Sequence, residues 1–346
     1  MPKVTIDDIS IEVPEGTTIL EAARMIGGDI VPPAMCYYSH LQGTGGYCRT
    51  CIVQVTQGSE KDPRPMPKPV ASCRTAVMDG MVVKNTTSPE LLEARAGVVE
   101  FLLINHPLDC PVCDQAGECH LQDLGYDHGK LETRSEFPRR EFEPIDIGPN
   151  IKLHMNRCIL CYRCVKVADQ LTDGRCHGVI SRGEESEIST YIEQAIDNDF
   201  SGNMIDVCPV GALTDRTFRF KSRVWYTKPV DAHRDCPTCS GKVRLWFQGD
   251  DVIRVTSRKD EYGEVTTGPE GNPEWICNTC RFDTKSVHDW EIEGPSHIQR
   301  QSVISANHYE SLKALKVTTD RMYKANPHGT KVDLGEGALD PNNESI

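Results

Sequence analysis

The 346-residue chain carries 16 cysteines, and their spacing is the feature most able to do chemistry. Four groups separate. Cys36, Cys48, Cys51 and Cys73 lie in CYYSHLQGTGGYCRTC and ASCRT. Cys110, Cys113 and Cys119 lie in NHPLDCPVCDQAGEC, just after His106. Cys158, Cys161 and Cys164 in RCILCYRC are joined at a distance by Cys208 in DVCPVGAL. Cys236 and Cys239 in DCPTC face Cys277 and Cys280 in ICNTC across a β-rich stretch. Thiolates in short hooks are soft ligands suited to iron-sulfur clusters and zinc. A secreted disulfide framework would call for a short chain behind a signal peptide. This chain opens MPKVTIDDISIEVPEG, with neither a basic n-region nor an apolar h-region, so the thiols read as metal ligands in a reducing compartment.

Each group has its own chemistry. In the first, three thiolates from one loop and a fourth from a later segment match the layout of plant-type [2Fe-2S] loops. Gly43, Gly45 and Gly46 let the backbone wrap tightly and aim amides at sulfur, which raises the reduction potential. A zinc site or structural cysteines are the bland alternative. The second group is one ligand short of four. On spacing alone His106, at a helix end fixed by Pro107, is as readily a structural residue as the missing ligand, and His120 and His128 are its rivals. His120 adjoins Cys119 and would point away from a metal.

The third group can be laid on the bacterial two-cluster template C-x-x-C-x-x-C-x-x-x-C-P. Positions 158, 161, 164 and 208 are all Cys, a complete set for one [4Fe-4S] cluster. The other set falls on Ala168, Asn198, Ser201 and Met204, so the partner cluster is erased at every ligand. Cys176 belongs to neither set and reads as a plain thiol. The fourth group, two C-x-x-C knuckles flanking a hairpin, has the pattern of a tetrahedral four-cysteine zinc ribbon, although the same thiolates suit a further [4Fe-4S] cluster.

Composition narrows the function. With Lys plus Arg at 38 against Asp plus Glu at 51, the net charge is -13, which argues against nucleic-acid binding as the main task. The run from Val98 to Ile104 is interrupted by Glu100 and is far short of the roughly 20 apolar residues of a spanning helix. Membrane association is therefore expected only through partners. GTGGYC sits inside a cysteine loop and not between a strand and a helix, so no nicotinamide or flavin site is expected.

The elements that must hold these groups predict an α+β, multi-domain chain. VTIDDISIEVPEG alternates around Asp7-Asp8 as a hairpin, and TTILEAARMIGG has a Thr cap, helical spacing and a Gly-Gly stop. With CIVQVTQG and MVVKN as later strands, residues 1–85 read as a β-grasp [2Fe-2S] domain. Residues 86–129 form a region with one His and three Cys, entered by the helix SPELLEARAGVVEFLLI. After a polar connection, 145–220 is a ferredoxin-like [4Fe-4S] region. Residues 221–293 form a β-rich module whose KVRLWFQGDDVIRVTS turns at Gly-Asp, and 294–346 reads as an extended tail.

The order NHPLDCPVCDQAGEC, RCILCYRC, DVCPVGALTD, over residues 1 to about 290, resembles the large iron-sulfur subunit, of the 75 kDa or G type, of respiratory NADH:quinone oxidoreductase (complex I). The resemblance implies a [2Fe-2S] cluster on Cys36, Cys48, Cys51 and Cys73, and a [4Fe-4S] cluster on His106, Cys110, Cys113 and Cys119. It implies a second [4Fe-4S] cluster on Cys158, Cys161, Cys164 and Cys208. Its implied partners are an NADH-oxidising flavoprotein subunit and quinone-side iron-sulfur subunits, at the cytoplasmic face of the inner membrane. The chain would relay single electrons, with no catalytic residue of its own. The electron-transfer subunit of a soluble NAD-linked hydrogenase or formate dehydrogenase shares the first three sites and is the alternative.

The sequence departs from this family in two places. Long members continue into a molybdopterin-oxidoreductase-like domain, and this sequence reads as a short form without it. Some members add a [4Fe-4S] site of pattern C-x-x-C-x-x-x-C with a distant fourth Cys. Here Val243 takes the third place and Cys280 falls outside the pattern, so zinc fits Cys236, Cys239, Cys277 and Cys280 better. Arg49, Arg74, Arg157 and Arg163 flank cysteines and read either as counter-charges to anionic clusters or as solvated surface.

Overall fold

Alternating apolar residues build the first sheet. In the computed structural model, which describes residues 1–130, 134–172, 177–191 and 195–295, β1 (Lys3–Ile6) and β2 (Ile9–Glu12) pair antiparallel across Asp7 and Asp8. Both turn residues have positive φ, 43° and 73°, a conformation that Asp tolerates better than most side chains. Helix α1 (Ile19–Ile26) starts in a capping box in which Thr18 and Glu21 satisfy each other's amides, and ends at Gly27 with φ 79°. Strands β3 (Ile52–Gln57), β4 (Val70–Ala71) and β5 (Met81–Lys84) complete a sheet of order β2-β1-β5-β3-β4, with β1 and β5 parallel. Val4, Ile6, Val53, Val55 and Val83 pack on Ile19, Ala22 and Ala23 of α1. Strand β3 begins one residue after Cys51, so the cysteine loop is rooted in the sheet.

Ser88 caps α2 (Pro89–Leu103), and Leu91, Arg95 and Val99, spaced by four, are its buried stripe. Buried Arg95 donates to Ile52 O at 2.9 Å and to Asn85 Oδ1 at 2.5 Å, joining α2 to the β-grasp sheet. Helix α3 (His120–His128) starts at Cys119.

A third unit contains β6 (Ile145–Asp146), β7 (Ile151–Leu153), α4 (Arg163–Leu171), β8 (His177–Ile180), β9 (Glu187–Thr190), α5 (Asn203–Val207) and β10 (Leu213–Asp215). Strands run β10-β7-β6, and β8 and β9 form a separate hairpin. Ala168 and Met204 are wholly buried among apolar neighbours. Close packing thus occupies two of the four places that the erased cluster's ligands would take.

The last unit is an antiparallel sheet of order β13-β12-β11-β14, built from β11 (Lys228–His233), β12 (Lys242–Gln248), β13 (Asp251–Ser257) and β14 (Glu291–Pro295). Gly249, φ 62°, turns β12 into β13. Strands β11 and β14 and the β8–β9 hairpin are not expected from the sequence: short strands with mixed pattern carry little local signal. Residues 294 and 295, expected to begin the extended tail, are instead the end of β14, and Cys176 and the rest of the tail, 296–346, lie outside the described residues. Among those described, no helix is long and apolar enough to cross a membrane.

Candidate functional site

The first cysteine set is wrapped by its own loop. Cys36, Cys48, Cys51 and Cys73 are 1–6 % exposed. Gly46 N–H donates to Cys73 Sγ at 3.2 Å, and Tyr47 and Cys48 N–H donate to Cys36 Sγ at 3.3 and 3.4 Å. Gly45, at φ 92°, passes so close that an added Cβ would lie 3.2 Å from Cys73 Sγ. Hydrogen bonds from Cys48 and Cys73 hold the Cys36 thiol far down, at about 2, and push its two donors up. Cys51 is drawn down to about 7, chiefly by Cys73, whose Sγ lies 3.3 Å away. Amides aimed at sulfur in a water-poor pocket fit thiolates carrying an anionic cluster.

The second set hangs between α2 and α3. Cys110 opens a tight turn, with Cys113 N–H donating to Cys110 O at 3.2 Å, and Cys119 sits at the start of α3. The buried Nδ1 of His106 has no hydrogen-bond partner among the described residues, and burial lowers this imidazole to about 4. A neutral ring with an unsatisfied nitrogen is what a metal ligand needs. The rival histidines, His120 and His128, line a different cleft with Arg24, Pro33 and Tyr262. Burial pushes the Cys113 and Cys119 thiols up, the latter to about 12, so a cation that neutralises the thiolates is what would displace their protons.

The third set surrounds one apolar cavity. Cys158, Cys161, Cys164 and Cys208 line it together with Leu153, Ile188 and Leu213. Burial raises all four thiols, Cys161 to about 12. Leu160 N–H donates to Cys158 Sγ at 3.3 Å. Leu160 and Tyr162 sit at positive φ, 52° and 64°, winding the loop so that successive cysteines of R-C-I-L-C-Y-R-C turn inward.

The arginines divide by location. Arg49 and Arg74 are exposed, the latter reaching Gly45 O at 3.3 Å. Arg157 and Arg163 are 3 % and 2 % exposed. Arg163 donates to Ala34 O and Tyr37 O at 3.0 and 2.5 Å and lies over the Tyr38 ring, 5.2 Å from its centroid, so it ties the third set to the loop before and after Cys36. Arg157 ion-pairs with Asp109 at 2.5 Å, tying the third set to the second. Gly211, three residues past Cys208, packs against the second set: a Cβ there would meet Cys113 Sγ at 2.2 Å.

The fourth set is the tightest. All four sulfurs lie within 4.8 Å of one another, with Cys236 to Cys277 at 3.8 Å and Cys239 to Cys280 at 3.7 Å. A tetrahedron around one ion with Zn–S near 2.3 Å has an S···S edge of about 3.8 Å. A four-iron cluster places each thiolate on a different corner iron and spreads them wider. Gly241 N–H donates to Cys239 Sγ at 3.4 Å, and the hydrogen bond shared with Cys280 draws Cys239 down to about 5. Val243 is wholly buried in the apolar core of the small sheet.

Asp109, Asp206, Gly211, Asn278 and Arg281 are not legible as site residues in the sequence. Their partners lie tens of residues away, and only their adjacency to cysteines hints at a role.

Comparison with known protein families gives three matches. Residues 2–88 match a 2Fe-2S iron-sulfur cluster binding domain, residues 95–134 an NADH-ubiquinone oxidoreductase-G iron-sulfur binding region, and residues 148–214 the ferredoxin-like domain of NADH-quinone oxidoreductase subunit 3. The G-type NADH-quinone oxidoreductase subunit of Rickettsia bellii is 39% identical over 91% of this chain and 43% of its own length. The 75 kDa subunit of NADH-ubiquinone oxidoreductase from Reclinomonas americana is 40% identical over 85% of this chain and 40% of its own. The 78 kDa subunit from Neurospora crassa is 39% identical over 97% and 42%. The chain thus spans about two-fifths of the length of these relatives. Among solved structures, a chain of an NAD+-reducing [NiFe]-hydrogenase superposes with TM-score 0.55 at 27% identity, covering 64% of this chain and 91% of that one.

Proposed function

From its homology to the G-type and 75 kDa subunits of NADH-quinone oxidoreductase, we propose that this chain is an electron-relay subunit of such an enzyme. It passes single electrons, received from a flavoprotein subunit, towards quinone-side iron-sulfur subunits at the cytoplasmic face of the membrane. The chain holds three clusters: [2Fe-2S] on Cys36, Cys48, Cys51 and Cys73; [4Fe-4S] on His106, Cys110, Cys113 and Cys119; [4Fe-4S] on Cys158, Cys161, Cys164 and Cys208. Cys236, Cys239, Cys277 and Cys280 hold a structural zinc ion.

One observation carries the relay reading. The three cluster-type sets are joined by buried arginines that both flank cysteines of the third set: Arg163 reaches the first set's loop and Arg157 the second set's. Rigid links of this kind keep redox centres at constant separation without a moving part. The clusters supply one-electron chemistry when bound, while the protein sets their spacing and potential through ligand type, burial and hydrogen bonds to sulfur.

The test is metal and sulfide analysis of the anaerobically purified chain with electron paramagnetic resonance. About ten irons, from one two-iron and two four-iron centres, with one zinc, supports the reading. Iron near zero with several zinc ions overturns the relay, and about fourteen irons overturns the zinc assignment. The chain alone should not oxidise NADH, and its clusters should be reduced by NADH once an NADH-oxidising flavoprotein subunit is added. The similarity to a chain of an NAD+-reducing [NiFe]-hydrogenase favours a second reading, electron transfer within a soluble hydrogenase. Complex formation with a hydrogenase subunit, and none with quinone-side subunits, would select it.

A further inference from the structure

The second zinc-type knuckle, Cys277-Asn278-Thr279-Cys280, does more than close its own site. Asn278, inside the knuckle, reaches back to the segment leading to Cys208. Its Nδ2 donates to Asn198 O at 2.7 Å and to Ser201 Oγ at 3.0 Å, and its Oδ1 accepts from Gly202 N–H at 2.9 Å. Its own N–H donates to Asp199 O at 2.6 Å. Asn203 answers from the other side, donating to Ile276 O at 2.8 Å and accepting from Ile276 N–H at 3.3 Å.

Arg281, the residue after Cys280, pairs with Asp206, two residues before Cys208, and their side chains are 2 % and 1 % exposed. Ser257 of β13 donates to the same oxygen, Asp206 Oδ2, from its N–H and its hydroxyl at 3.1 and 2.6 Å. The fit leaves no slack. A Cβ on Gly202 would lie 2.7 Å from the Arg281 side chain and 2.8 Å from Asn278 Oδ1.

The clamped segment, 198–206, contains Asn198, Ser201 and Met204, where a two-cluster ferredoxin would carry ligands of its other cluster. Asn198 and Ser201 are instead used to seat the knuckle. A metal that orders a four-thiolate site stabilises everything built on its loops, and groups just outside a cluster tune its orientation and potential. Here one segment, 198–208, is both hydrogen-bonded to the knuckle and continuous with Cys208.

We propose that the metal at Cys236, Cys239, Cys277 and Cys280 positions the cluster held by Cys158, Cys161, Cys164 and Cys208, acting through Asn278 and Arg281 on the segment 198–208. This rests on the reading that the fourth set holds a single zinc ion and the third set a [4Fe-4S] cluster. Asn278 and Arg281 are positioning residues: they touch neither metal nor cluster.

The test uses the full chain with its clusters loaded, iron being counted before and after each step. Zinc is first exchanged for cobalt. A sulfur-to-cobalt charge-transfer band shows a tetrathiolate ion, and failure to bind cobalt with about fourteen irons present overturns the zinc reading itself. Metal is then withdrawn by a chelator under conditions that leave the iron count unchanged.

The expected result is a shift in potential and g-values of one [4Fe-4S] centre, restored on adding zinc, while the [2Fe-2S] signal stays in place. Asn278→Ala should bind cobalt normally yet show the shifted signal with metal present, and Asn278→Asp, which keeps the acceptor oxygen for Gly202, should restore part of it. Arg281→Lys serves as the second variant should Asn278→Ala not fold. Unchanged cluster signals on metal withdrawal overturn the proposal while leaving the zinc assignment intact. Equal displacement of all three cluster signals also overturns it, since that is general unfolding.

Discussion

Arg157 and Asp109 form an ion pair at 2.5 Å, with the arginine side chain 4 % exposed and the carboxylate 24 %. Arg157 precedes Cys158 and Asp109 precedes Cys110, so one contact fixes two cysteine sets against each other. Its arginine also reaches Gly211 O at 3.4 Å, on the loop that abuts Cys113.

Arg157→Ala removes this strut and leaves Asp109 without its counter-charge. Breaking a buried pair from one side costs about 3–5 kcal/mol in general, and partial exposure of Asp109 places this one near the low end, about 3 kcal/mol. Denaturant unfolding should report that loss, and the resonance signals of both four-iron centres should move while the two-iron signal stays. Arg157→Lys keeps the charge but not the planar fork, and should recover only part of both effects.

His106→Cys exchanges a neutral imidazole for a thiolate. The extra negative charge should lower the potential of one [4Fe-4S] centre by on the order of 100 mV, read by redox titration. His106→Ala should remove or alter that signal, and unchanged spectra in both variants would make His106 structural.

Gly211→Ala places a methyl group where Cys113 Sγ now lies, 2.2 Å from the added Cβ. Neither the backbone nor a cysteine held between two turns can yield by that much. The second set should fail to assemble, and iron should fall from about ten to about six per chain. Gly178→Ala, with nothing within 4 Å of its added Cβ, should leave iron content unchanged.

His177 is 2 % exposed, neither ring nitrogen has a partner among the described residues, and burial lowers it from 6.5 to about 4. The unfolded chain therefore takes up a proton at this residue before the folded chain does. The folded state keeps the full benefit of a neutral His177 above pH 6.5 and loses it as pH falls towards 4, by on the order of 3 kcal/mol. His177→Phe should flatten this part of the difference in stability between pH 7 and pH 5, measured by denaturant titration. An unchanged slope would mean that other groups carry the acid sensitivity.

The candidate ligand patterns are readable in the chain because they are local. C-x-x-C hooks, the capping box at Thr18 and Glu21 and the alternation around Asp7 and Asp8 are short-range patterns, and the β1–β2 hairpin and α1 follow from them, whereas β11, β14 and the β8–β9 hairpin do not. Spacing could not decide His106, because an imidazole's role depends on what its nitrogens meet. The orphaned Nδ1 is a property of packing. Nor could spacing separate one zinc ion from a cluster at the fourth set, since both use the same residues and differ in how far apart the sulfurs stand. The four flanking arginines look alike in sequence, yet two are surface and two are buried struts.

The residue types and their order along the chain thus mark out four thiol sets suited to soft metal centres. Only the tertiary structure decides how its centres are linked. Asp109 meets Arg157 across 48 positions and Asp206 meets Arg281 across 75, separations at which local pattern carries no information and only the burial of a charge demands a partner.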